Sequence, residues 1–365
     1  MAPKPRQRCA RFAAAMAGIS ALTACTHGVA SDGTNTTEIE LATFVGPSTP
    51  YGEALTEFAE QVSAETDGRV DLKIFWDGSL LPGEEILDGV STGRVGMGYV
   101  NTSYHPTELP LSQLVSVPFQ TGDTATAQAA WNELLETDEA FAAEWQSNNV
   151  VNLGIQSVTP MIISGPETPT GIEELSGQRV RATGHTARAV QLAGGSPVGL
   201  TINELYESLE RGVIDSYTSM NLGTVPSLSL HEASPHIADP GLGIYSIVGL
   251  VVNQETFDGL NGADQEALGA AGRDLGDNYL ETVERVEDEA CSTIREAGGS
   301  VTVWDGPEVD AWRDLVGDEL MNDWESDVAE TGAGTEGEEF AAAYARAIEA
   351  NPTDGEGALD RCANQ

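Results

Sequence analysis

Residues 171–184, GIEELSGQRVRATG, and residues 194–219, GGSPVGLTINELYESLERGVIDSYTS, decide the fold. Arg179–Ala182 alternates as a short strand, and Thr183-Gly184 opens a loop into a helix over His185–Ala193. A second helix over Asn203–Arg211 leads into a strand over Val213–Tyr217. This strand–loop–helix rhythm places Arg181 at a strand end, facing a loop that starts a helix. In an open α/β sheet ligands bind at that edge. A guanidinium there matches a carboxylate with two parallel charge-assisted hydrogen bonds. Arg179 shares the strand face but stands away from the loop. The alternative reading is a surface arginine paired with one of the chain's many acids.

The same rhythm extends upstream. Glu38–Val45 reads as a strand, Tyr51–Thr66 as a helix with its stripe at Leu55, Phe58, Ala59 and Val62, and Arg69–Trp76 as a strand after the Asp67-Gly68 turn. A helix over Glu84–Thr92 and a strand over Val95–Val100 complete a β-α-β-α-β order, which argues for a mostly parallel sheet clothed by helices. Helices follow over Ala125–Leu135 and Glu139–Ser147, then strands over Val150–Ile155 and Met161–Ser164. Ile244–Asn253 reads as a strand returning to the first sheet. Gly262–Gly299 is the longest helical signal, with apolar residues from Leu268 to Ala297 at three- and four-residue spacing. At about 1.5 Å per residue it reaches roughly 50 Å, longer than one lobe is wide. The tail reads as helices over Pro307–Thr331 and Glu338–Ala350. The expected architecture is α/β with two interwoven lobes bridged by a long helix. The first lobe takes 38–158 plus about 245–285, the second 159–244 plus about 286–350, and 351–365 forms a tail.

Lys4, Arg6, Arg8 and Arg11 precede an apolar run, Phe12–Leu22, too short for a permanent span and suited to a signal peptide over residues 1–24. Leu22-Thr23-Ala24-Cys25 resembles a bacterial lipoprotein cleavage box, which implies acylation of Cys25. Plain secretion with a free thiol is the alternative. Residues 25–37 read as a flexible tether. Cys291 and Cys362 then remain, and two cysteines in an exported chain are expected to form a disulfide. All 58 acids lie beyond residue 24 with only 13 of the 17 Lys and Arg, leaving a charge of −45. Such a balance excludes nucleic-acid binding and reads as a solvated acidic coat.

No catalytic motif stands out. Gly332–Gly337 matches G-x-G-x-x-G but follows a helix in an acidic linker, the wrong context for a pyrophosphate. Gly194-Gly195-Ser196-Pro197 lacks the last glycine of a nucleophile elbow. The histidines, His27, His105, His185, His231 and His236, form no ligand set, so neither a metal nor a cofactor is expected.

Taken together, Leu175-Ser176-Gly177-Gln178-Arg179-Val180-Arg181, Gly195-Ser196-Pro197 and Glu204–Asp215 resemble the second lobe of the solute receptors of TRAP transporters. Thr66–Val70, Gly93–Val100 and Pro110–Phe119 resemble their first lobe, and the likeness runs over about residues 38–345. The resemblance implies a two-lobed periplasmic-binding-protein-like fold of type II character that closes on an organic acid. It also implies an extracytoplasmic location, a small and a large membrane subunit as partners, no enzyme activity, and Arg181 as the carboxylate-binding arginine. Three positions depart from the family's sugar-acid receptors. Met161 replaces a second arginine, Ser219 an asparagine, and Ile202 an aromatic residue. One cation and a less polar wall point to a monocarboxylate with an apolar or aromatic body. Further wall candidates are Tyr51, Asn101, Tyr104, Tyr217 and Asn221, with core packing or solvent exposure as the alternative for each. Asp215 is expected to cap the strand–loop turn. A same-fold protein serving a sensor or another transporter class remains an alternative, as does a secreted α/β hydrolase.

Overall fold

The computed structural model describes residues 36–331, 336–353 and 357–364. The signal peptide, Cys25 and most of the tether lie outside these residues, as does most of the Gly332–Gly337 run. The tether is shorter than expected at its end, because Thr37 is already the first residue of a strand.

The chain builds β1 (Thr37–Thr43), α1 (Pro50–Glu65), β2 (Val70–Phe75), α2 (Ile86–Ser91) and β3 (Met97–Asn101). Thr49 starts α1 by accepting from the Gly52 N–H, with Pro50 next to it, where a missing N–H costs nothing. β1 pairs in parallel with β2 and with β3. Then follow α3 (Thr124–Thr137), α4 (Glu139–Ser147) and β4 (Val150–Ser157). The second lobe holds β5 (Ile163–Gly165), β6 (Arg179–Arg181), α5 (Gly184–Leu192), β7 (Ser196–Val198), α6 (Leu205–Glu210), β8 (Ser216–Tyr217), α7 (Leu230–Ala233) and β9 (His236–Asp239). β10 (Ile247–Asn253) returns to the first sheet, between β3 and β4 and antiparallel to both, giving the order β2-β1-β3-β10-β4. That sheet is therefore mixed where the sequence alone reads as mostly parallel. After α8 (Gln254–Asp258) and α9 (Gly262–Glu296), β11 (Ser300–Val303) joins a sheet of order β11-β9-β5, beside the parallel sheet β7-β6-β8.

α9 is a single 35-residue helix capped by Asn261. Its first half packs on α1 and β4, and its second half on the Leu222–Thr224 turn and β11. Gly154 of β4 and Gly272 of α9 permit that approach. A Cβ on Gly154 would stand 2.0 Å from the Gly272 carbonyl oxygen.

The two crossings between lobes, 158–162 and 240–246, are tied to each other and to 119–121. Met161 N–H donates to Gly243 O at 2.9 Å, Val158 N–H to Ser246 O at 3.2 Å, Phe119 N–H to Leu242 O at 2.9 Å and Ile244 N–H to Thr121 O at 2.9 Å. Gly243 has φ of +86° there, and a Cβ would meet Thr121 O at 2.4 Å.

Two tail readings need correction. The helix expected over Pro307–Thr331 is two, α10 (Gly306–Val316) and α11 (Glu319–Glu330), because Gly317 ends the first at φ +52°. The helix placed with the second lobe, α12 (Glu336–Ala350), instead packs on α3. Its Tyr344 and Phe340 rings lie 4.5 Å and 6.0 Å from Trp131. The Trp131 ring gives that helix a large apolar surface to cover. α13 (Ala358–Ala363) is joined to α9 by a Cys291–Cys362 disulfide, with a Cα–Cα distance of 5.9 Å.

Candidate functional site

β6 is the central strand of its sheet, with Arg181 opposite Val198 of β7 and Tyr217 of β8. Arg181 lies between flanking strands on both sides and is 1 % exposed. Nε donates to Leu200 O at 3.0 Å, and Nη1 to Thr218 O at 3.1 Å and Ser219 O at 2.6 Å. No carboxylate lies within ion-pair distance of Arg181 among the described residues. Arg179 provides the contrast. It is half-exposed and paired with Asp215 at 2.5 Å, and it holds that carboxyl below its ordinary value. Asp215 also accepts from the Arg179 N–H.

Three of the five guanidinium N–H groups are thus committed to carbonyls. Only the two on Nη2 remain, so the expected pair of parallel bonds needs one carbonyl to be released. Ser219 takes part through its backbone. At φ +53° it turns its carbonyl onto Arg181, while its hydroxyl accepts from the Thr183 N–H at 3.2 Å. Asparagine tolerates this left-handed conformation well, and Ser219 adopts it here at a local cost of about 1–2 kcal/mol.

The Arg181 charge acts on two tyrosines. Burial pushes the hydroxyls of Tyr104 and Tyr245 up, and the guanidinium pulls both back. Tyr104 packs edge-on to Phe44 at 5.9 Å and beside the Ile202 backbone. Gly83 makes room for it, since a Cβ there would stand 2.9 Å from its ring. Tyr245 is absent from the sequence-based candidates because Ile244–Asn253 reads as one apolar strand. Its signal was the Gly241-Leu242-Gly243 run just before it, which marks a crossing rather than a sheet interior.

The other candidates divide. Tyr51 stacks on Tyr279 with centroids 5.0 Å apart, and its hydroxyl accepts from Asn221 Nδ2 at 2.8 Å. That bond links α1 to the segment after β8, and so one lobe to the other. Asn101 Oδ1 accepts from the Ser103 N–H at 2.9 Å and from Ser246 Oγ at 2.7 Å, which fixes the crossing beside Tyr245. Met161 and Tyr217 are fully buried. Met161 meets the Thr186 hydroxyl, and Tyr217 packs with Leu205, Ile214 and Met220. The Ile202 side chain is half-buried on a shallow cavity of about 640 Å³ with Asp77, Asn203 and Tyr206. Among the described residues no cluster of His, Cys, Asp and Glu could hold a metal, and no helix is long and apolar enough to cross a membrane.

The family model for bacterial extracellular solute-binding proteins, family 7, matches residues 41–327. The ectoine-binding periplasmic protein TeaA of Halomonas elongata is 21 % identical over 256 residues, 69 % of this chain and 73 % of its own. The 2,3-diketo-L-gulonate-binding periplasmic protein YiaO of Escherichia coli is 24 % identical over 280 residues, 75 % of this chain and 83 % of its own. Among solved structures, a marine-metagenome TRAP solute-binding protein specific for aromatic acid ligands, in complex with 3-hydroxybenzoate, superposes with a TM-score of 0.78. It is 19 % identical and covers 87 % of this chain and 99 % of its own. The chain belongs to the bacterial extracellular solute-binding proteins of family 7, the extracytoplasmic solute receptors of TRAP transporters.

Proposed function

We propose that this receptor binds a monocarboxylate with an apolar or aromatic body, held by Arg181 between the lobes, and delivers it to a small and a large membrane subunit. The observation that carries the reading is a buried arginine with no acidic partner among the described residues of so acidic a chain. A desolvated cation without a counter-ion costs several kcal/mol, and an incoming carboxylate offsets that cost. Tyr104 and Tyr245 stay neutral at physiological pH because burial raises them, so both hydroxyls can donate to the same anion. Their rings and Phe44 give the ligand body an apolar wall. A dicarboxylate would need a second cation, and Met161 offers none. The likeness to a receptor for aromatic acids agrees with this chemistry.

The reading involves no bond-making step. Binding and closure suffice, with the ligand favouring the closed state by its contacts there. We take the pair of crossings as the hinge and the boundaries expected from the sequence as those of the lobes, with α12 set apart by its packing on α3. The −45 coat does not forbid an anion, because salt screens charges beyond about 8 Å. Cys25 is taken as the lipid anchor, and the intact mass of detergent-extracted protein tests it, since an unacylated Cys25 would refute that part. The ligand class is tested by thermal shift with benzoate, 3-hydroxybenzoate and mandelate against succinate and malate. The monocarboxylates should raise Tm, and Arg181→Ala should abolish the response. A response to the dicarboxylates alone would overturn the proposal.

A further inference from the structure

α9 carries a carboxylate to the place where the chain crosses between the lobes. Glu287 is 5 % exposed, and its Oε1 accepts from Thr159 Oγ1 at 2.5 Å. Its stem packs against Gly223, where an added Cβ would stand 3.3 Å from Glu287 Cγ. Thr159 belongs to the first crossing. The second crossing supplies Tyr245, on which the charges of Glu287 and Arg181 both act. One buried carboxyl therefore joins the long helix, a crossing and the segment after β8, one tyrosine away from the guanidinium. It also lines a cavity of about 570 Å³ with Pro160 and Asp239 on the second lobe's side and Leu359 and Arg361 of α13.

We propose that Glu287 is a hinge-positioning residue: protonated, it holds α9 and the crossings in the arrangement that assembles Arg181 with Tyr104 and Tyr245, and ionised, it loosens that arrangement. The consequence for function rests on the solute-receptor reading above, with affinity rising as pH falls.

The surroundings favour the neutral form. Burial pushes the Glu287 carboxyl up to about 7, against the opposing pull of the Thr159 hydroxyl, the Arg361 charge and the Gly223 backbone. Along α9, Tyr279, Glu284 and Asp288 flank it. From α13 come Asp360 and Arg361, and from the turn before α3 comes Asp123. β9 adds Asp239, itself pushed up to about 6 by burial. Arg361 is the one cation in that set, and it also pairs with Asp288 at 3.4 Å. An arrangement that lets water reach Glu287 returns the carboxyl toward its usual 4.5. The packed hinge is then favoured by protonation between about 4.5 and 7, and the advantage is lost as pH rises through about 7. Between pH 8 and pH 6 this amounts to about a tenfold gain in the packed arrangement.

The test uses the whole protein and Glu287→Gln, which keeps an acceptor for Thr159 and cannot ionise. In ligand-free protein, amide exchange at Met161 and Ile244, corrected for intrinsic rates, should lose up to about tenfold protection from pH 6 to pH 8 in wild type and none in the variant. Equal loss in both proteins, or none in either, overturns the proposal. Calorimetric titration with benzoate should weaken over the same range in wild type only, the fold-losses in protection and in affinity multiplying to about ten, because affinity follows the packed fraction and protection the inverse of the loose fraction. If benzoate fails to bind while hinge exchange behaves as stated, the ligand class falls and the hinge role stands. If benzoate binds and neither its affinity nor the exchange differs in pH profile between the two proteins, the hinge role falls and the ligand class stands. Should Glu287→Gln not fold, Thr159→Val removes a donor that favours ionisation and should move the exchange midpoint to higher pH. An unmoved midpoint overturns the proposal.

Discussion

Replacing Arg181 with methionine separates binding from folding. Methionine fills much of the arginine's volume but brings neither charge nor donors. Removing one partner of a buried charged pair costs about 2–5 kcal/mol, so Kd for the carboxylate should rise by about 30-fold to several thousand-fold. The ligand-free protein feels two opposing changes. It is relieved of a desolvated, unpaired cation, worth several kcal/mol. It also strands the carbonyls of Leu200, Thr218 and Ser219, at about 1–3 kcal/mol each. These offset to within a few kcal/mol, so the ligand-free Tm should move modestly while the ligand-induced rise disappears. Arg181→Lys should fall between the two proteins, because a shorter point charge cannot serve three carbonyls and an anion together. Calorimetry with benzoate and 3-hydroxybenzoate, alongside ligand-free melting, reads both effects. The reasoning fails if Arg181→Met binds either acid within threefold of wild type. It also fails if affinity falls only in proportion to lost stability.

Gly243→Ala should destabilise by about 2 kcal/mol or more, since alanine resists φ of +86° and its Cβ meets Thr121 O; urea unfolding checks this. The double variant Cys291→Ser/Cys362→Ser frees a loop whose ends are 71 residues apart and should lose about 3–4 kcal/mol, read by the same unfolding experiment. Glu144, buried while accepting from the Leu111 and Ser112 N–H groups, is pushed up to about 7. A raised carboxyl contributes stability in full below about 4.5 and loses it as pH rises through about 7. The stability of Glu144→Gln relative to wild type should therefore improve from pH 5 to pH 8, by on the order of 1–3 kcal/mol. A constant difference in denaturation midpoint across that range would contradict it.

Local pattern and global placement part ways at identifiable residues. Strand and helix periods, the Asp67-Gly68 turn and the unbroken stripe from Leu268 to Ala297 are properties of near neighbours in the chain, so the elements and the long helix could be read directly. Gly317 was also visible, but an isolated glycine inside a helical pattern is often tolerated, and only its left-handed φ shows the break between α10 and α11. The place of α12 could not be read at all. Its apolar stripe says that it packs, and the Trp131 ring more than two hundred residues upstream says where.

The sequence by itself determined the α/β class, the bridging helix and Arg181 as the cation of interest, because period, length and charge are local. Only the tertiary structure decided that Arg181 is buried with no acid beside it among the described residues, that Ser219 serves it through a left-handed carbonyl, and that the Glu287 charge acts on Tyr245 at the crossings. Desolvation and the absence of a counter-charge depend on what distant segments bring within a few ångströms. No spacing along the chain encodes that.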